Sequence, residues 1–236
     1  MTMTALDRAS TDRAPTALTG RRYRLGLAIA LGAARPLRWI LLAWIVLTPV
    51  MSLLLADVIE TGLWLITATV FQWFVASAAG RWLYANLPGV LSRGVTRREL
   101  TTAYLVFGAI ASLATTAIVT AGFAAEHALL TAAGNATGTW GGALADGARY
   151  LLITPIYCFT GALIGAAALR FAGSTLFTLV VLVAAAGQYT GVLALEFGFF
   201  DGGGNLAAWA GICLAVTAVL VAGLAATLRT APVRAK

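Results

Sequence analysis

Six long apolar runs, at 39–56, 62–80, 100–124, 150–169, 174–195 and 206–228, constrain this chain more than any other feature. Each is close to the roughly 20 residues that a helix needs to cross a hydrocarbon core about 30 Å thick. In lipid each backbone N–H and C=O must be paired within its own segment, so single runs of this length fold as helices. Of the 236 residues, 60% are hydrophobic and only 11% charged, which leaves little polar sequence for a soluble domain. Trp39, Trp64, Trp82, Tyr84, Trp140, Tyr150 and Trp209 fall at or near run ends, where interfacial aromatic belts lie. The expected fold class is all-α: a polytopic membrane protein with six transmembrane helices.

Residues 1–20 are polar and without periodicity, so they are expected to form a disordered tail. The sequence Arg21-Arg22-Tyr23-Arg24 then precedes an apolar stretch, 25–34, closed by Arg35 and Arg38. As a helix such a stretch reaches about 15 Å, half of a bilayer core. An amphipathic helix lying in the interface is therefore expected at 21–36. A signal peptide is the competing reading; the long polar lead-in and the arginines beyond the run count against it. The six-helix domain is expected at 37–229, with a short tail at 230–236.

The charges between the runs predict orientation. With the N-terminus inside, the inner segments are 1–38, 81–99, 170–173 and 229–236, and they hold fifteen of the sixteen basic residues, leaving only Arg149 outside. Asp57, Glu60, Glu126, Asp146, Glu196 and Asp201 all fall on the outer side. A Lys/Arg bias of this kind sets membrane topology, and both ends are expected in the cytoplasm. The net charge of +7 is thereby explained without a nucleic-acid partner. Fifteen arginines against one lysine, with abundant Ala and Gly, point to a high-GC bacterial genome and so to a bacterial cytoplasmic membrane.

Enzyme chemistry finds no foothold. There is no GxxxxGK[ST] phosphate loop, no HExxH and no GxSxG, and the single His127 cannot hold a metal alone. Cys158 and Cys213 lie inside apolar runs and read as buried hydrophobes, not as a disulfide framework. The apolar runs carry no charged residue between their ends, which counts against embedded catalysis and proton-coupled transport.

The segment 81–99, RWLYANLPGVLSRGVTRRE, is the longest inner loop by this reading. Asn86 followed by Pro88 predicts a helix N-cap with proline in the first turn. A short surface helix from Pro88 to Arg93 would then end at Gly94. Thr96, with Glu99 three residues on, fits a capping box opening the third span. A partner could push on such a corner; equally, its arginines could simply hold topology and meet anionic lipid.

The sequence Gly94-Val95-Thr96-Arg97-Arg98, directly before the third span, resembles the G-V-[ST]-R-R signature of type-2 ABC exporter permeases. In that family six-span subunits with an N-terminal elbow helix pair with separate ATPase subunits. The resemblance implies that Pro88, Arg93, Gly94, Val95, Thr96, Arg97, Arg98 and Glu99 form an ATPase-docking coupling helix. Arg170 would lie at the second inner contact. The chain itself would bind no cofactor; ATP and Mg would sit on the partner, and a second permease subunit would complete a homo- or heterodimer. The loop at 196–205 falls where the family places short re-entrant helices, and Phe197, Phe199 and Phe200 are either a lid on the pathway or membrane anchors.

Gln72 and Gln188 are the bulkiest polar residues within the runs, serving as interhelical hydrogen bonds or as substrate contacts. Gly161/Gly165 and Gly187/Gly191 each permit close helix approach. The expected function is that of an exporter subunit for amphipathic or hydrophobic cargo such as an antibiotic, peptide, lipid or drug. The alternatives are a non-transporting membrane scaffold and a passive channel or secondary carrier.

Overall fold

The computed structural model describes residues 14–35, 38–55, 63–134, 138–171, 173–195 and 205–230. The expected phenylalanine lid at 196–204 and the terminal segments 1–13 and 231–236 lie outside the described residues. Among the described residues the chain is all helical: α1 (Ala14–Ala34), α2 (Arg38–Leu54), α3 (Trp64–Ser92), α4 (Arg97–Ala132), α5 (Trp140–Ala148), α6 (Tyr150–Phe171), α7 (Thr175–Leu195) and α8 (Leu206–Thr230). Four helical stretches are long and apolar enough to cross a membrane: α4, α5 with α6, α7 and α8. By length and composition these suggest a membrane protein. The first two apolar runs give something else. The first yields a 17-residue helix, about 26 Å long at 1.5 Å per residue. The second is drawn into the 29-residue α3, whose polar Gln72 and Arg81 dilute its apolar character.

Three sequence expectations are corrected at the helix ends. The N-terminal helix starts at Ala14, inside the stretch expected to be a disordered tail. Residues 125–149, left between the third and fourth apolar runs as an outer connection, contain the end of α4 and all of α5, which is capped by Thr139. Most consequential, the segment 81–99 is not a loop with its own short helix. Helix α3 runs unbroken to Ser92, and Asn86 caps nothing: its Nδ2 donates back along the helix to the Trp82 carbonyl at 2.9 Å. Proline in a helix interior costs roughly 3 kcal/mol, through a lost hydrogen bond and a steric clash. Here Leu83 and Leu87, both fully buried on the turn before Pro88, hold the helix in the core across the break.

The core is a three-helix unit of α3, α4 and α6. Helices α3 and α6 run parallel at glycine contact, with Gly161 against Ala76 and Gly165 against Gly80. A Cβ at either α6 glycine would run into a backbone carbonyl of α3. Antiparallel to α3, α4 is fastened near both ends: the Tyr104 hydroxyl donates to the Ala79 carbonyl at 3.1 Å, and Trp64 Nε1 to the Val119 carbonyl at 2.9 Å. Gly122 makes room for the Trp64 ring. Onto this unit pack α1, whose Gly26 sits on Ala103 and Val106, and α8, which buries Leu224 and Leu228. Helix α7 buries only Val192.

Candidate functional site

The α3–α4 corner is four residues long, 93–96, and its backbone chemistry accounts for every one of them. Gly94 has φ +75, and its N–H donates to the Leu91 carbonyl at 3.0 Å while that of Val95 reaches Val90 at 3.4 Å. Those two bonds form a Schellman motif, which requires a left-handed residue at Gly94. Thr96 then opens α4: its hydroxyl accepts from the Glu99 N–H at 3.2 Å, and Glu99 Oε2 accepts from the Thr96 N–H at 2.8 Å. The capping box expected from sequence is thus formed, as is the glycine stop. Two terminated helix ends in immediate succession make the corner rigid.

Two further helices are tied to it. Arg97 Nη1 donates to the carbonyl of Arg229 at the end of α8, where the helix dipole favours a cation. Arg21 of α1 donates to the Arg93 carbonyl at 3.5 Å. Arg170 closes α6, and the parallel register of Gly165 on Gly80 carries it to the level of Ala85 on α3. Arg21, Arg93, Arg97, Arg98, Arg170 and Arg229 therefore gather at one end of the bundle, and Arg98 and Arg170 are exposed there. Among the described residues Glu99 is the one acid at that end. Pro88 and Val95 are half-buried, Pro88 as part of α3 itself.

The pathway residues are not brought together. Gln72 is 1% exposed, and neither atom of its amide has a hydrogen-bond partner among the described residues, so the expected interhelical bond is not made. Gln188 lies half-buried on α7 with its Nε2 likewise unpartnered. Their sequence neighbours meet instead. Trp73 stands 5.4 Å from Tyr157 and 6.3 Å from Tyr189, an aromatic junction of α3, α6 and α7.

The opposite end holds a site that the sequence reading left in a loop. Glu126, 5% exposed, accepts from the Trp64 N–H at 3.1 Å and from the Ser52 hydroxyl, while Ser52 Oγ accepts from Leu63 N–H at 3.1 Å. The Glu126 carboxyl group thus satisfies the first N–H of α3, and Ser52 the N–H of the residue before it. Nearby, Thr67 Oγ1 is shared by Trp44 Nε1 and the Thr48 hydroxyl, joining α2 to α3. The available signal was helical spacing: Val119, Gly122 and Glu126 share one face, and no helix breaker intervenes before Gly134. His127 adds an edge contact with Trp140, centroids 4.7 Å apart, between α4 and α5. Among the described residues no cluster of His, Cys, Asp and Glu could hold a metal. Compared with known proteins, the chain matches no family model, no curated protein and no solved structure.

Proposed function

We propose that this chain is the membrane-spanning permease subunit of an ATP-driven exporter. In this reading it crosses a bacterial cytoplasmic membrane six times with both ends inside, and α1 serves as the elbow helix. A second permease subunit completes the membrane unit, and two separate ATPase subunits carry ATP and Mg. The observation that carries the reading is the rigid arginine-bearing corner at 93–99. It joins two of the longest helices through four residues and is bonded to the end of α8 and to Arg21 within α1. A force applied there reaches α1, α3, α4 and α8 together, as coupling to an external motor requires. Arg93, Arg98 and Arg170, exposed at that end, are contacts available to an acidic partner surface.

The glycine-locked pairing of α3 with α6 favours a second reading, a non-transporting scaffold, because it opposes internal rearrangement within one chain. Affinity purification from native membranes separates the two. Under the exporter reading an ATPase subunit copurifies, hydrolyses ATP in the complex, and is lost or uncoupled by Arg98→Glu. Arg98 is the better probe than Arg97, whose side chain also holds α8. Retention of the ATPase with unaltered turnover in Arg98→Glu sinks the coupling role, and a complex with no ATPase favours the scaffold.

A further inference from the structure

We infer that the groove between α1 and the α3–α4 corner is a binding site for the phosphate of an anionic phospholipid. The groove encloses about 310 Å³ and is lined by Arg21, Arg22, Arg24, Arg93 and Glu99 over a floor that includes Leu25 and Val90. Four arginines against one glutamate leave an excess of three positive charges around the rim of the cleft, with aliphatic arginine stems forming much of its wall. The carboxylate is committed elsewhere, since Glu99 Oε2 accepts from both the Thr96 N–H and the Thr96 hydroxyl in the capping box. The Thr96 N–H first, and the Arg21 and Arg22 guanidinium groups after it, hold the Glu99 carboxyl below its ordinary value, but among the described residues none of the four arginines makes a close ion pair with an acid. The hydrogen bond that Arg21 makes is to a neutral carbonyl, and Arg22 stacks over Tyr23 at 5.6 Å while its buried Nε has no partner. An unsatisfied buried donor is costly, and one phosphodiester would accept from Arg22 Nε while pairing with the exposed guanidinium groups beside it.

A lipid source is favoured over a free anion by what lies beyond the arginines. Along α1, helical spacing continues from Arg24 to Ala28 and Leu31, so the charged end of the groove passes directly into apolar surface. Leu27 and Leu31 are 48% and 64% exposed on that helix. The site is therefore amphiphilic along its length, with acyl chains placed over α1 and the phosphate at the arginines. In a bilayer, arginines beside an apolar stretch of helix extend to the headgroup layer, where lipid phosphate lies. This inference stands independently of the permease reading, because it needs neither an ATPase nor transport.

Native mass spectrometry of the delipidated full-length chain in detergent tests it. Short-chain phosphatidylglycerol should bind at least tenfold more tightly than phosphatidylcholine of the same chain length. The variant Arg22→Gln/Arg24→Gln should lose that preference. Arg38→Gln, which removes a positive charge outside the groove, should keep it within twofold. Equal binding of the two lipids by the wild-type chain overturns the proposal, whatever the variants do. So does an equal loss in Arg38→Gln, which would make the attraction a property of general surface charge. Displacement of phosphatidylglycerol by millimolar inorganic phosphate would assign the site to a soluble anion instead. Protection of the groove by a copurified protein partner, with no lipid preference, would assign it to that partner's acidic surface. Thermal melting of each variant checks that it is folded.

Discussion

Two glycine pairs of the same spacing should respond to alanine with opposite sign. At Gly161 the added methyl meets the Ala76 carbonyl far inside the 3.4 Å at which ordinary contact begins. The obstacle is backbone and cannot rotate away. Helices α3 and α6 must separate by more than 1 Å, loosening the Gly165–Gly80 contact one turn further along. Overpacking of this kind costs roughly 1–3 kcal/mol. It opposes the gain of about 1 kcal/mol that alanine brings to a helix interior. Because the clash is with main chain, the upper part of the range applies, and a net loss of about 2 kcal/mol is expected. For a chain of this length that corresponds to a fall in Tm of about 4–8 °C. Gly187 and Gly191 meet nothing within 4 Å, so alanine there should be neutral or raise Tm by up to about 3 °C. Fluorescence-detected thermal unfolding of the monomeric, detergent-solubilised chain measures both. A Gly161→Ala protein as stable as wild type would refute the α3–α6 register, and with it the parallel pairing on which the bundle is built.

Other outcomes follow from the same geometry. Glu126→Ala strands the first N–H of α3 and the Ser52 hydroxyl in a buried site, and should cost about 1–3 kcal/mol by thermal unfolding. Glu126→Gln keeps an acceptor oxygen and should fall between Ala and wild type; an Ala variant as stable as wild type would show that the cap contributes nothing. Thr96→Ala removes the side-chain half of the capping box and should cost about 1 kcal/mol. The loss should appear as faster amide exchange in the first turn of α4, and unchanged exchange there would show that the Schellman turn alone sets the corner.

The helices themselves were largely legible in the sequence, because apolar length and lipid's demand for internal hydrogen bonding leave no other local choice. The corner was legible for the same reason. A glycine stop and a Thr-x-x-Glu cap are read from neighbours within six residues, and both formed where the sequence placed them. The failures came where a local signal was opposed by packing. Asn86 and Pro88 carry the pattern of a helix start, yet α3 continues through them because Leu83 and Leu87 are buried on the preceding turn. Glu126 looked like loop charge until helical continuation brought it against Trp64, 62 residues away in sequence.

Which glycines matter was also decided only in three dimensions. Both pairs have the same spacing, but only Gly161 and Gly165 face another backbone. By itself the sequence determined that this chain is a set of long apolar runs, folded as helices, with arginines flanking the runs. That much follows from composition, period and capping, which act over a few residues. Only the tertiary structure decided which ends come together. The gathering of Arg21, Arg93, Arg97 and Arg229 at one corner depends on helix register, and register is set by backbone contact between segments far apart in the chain.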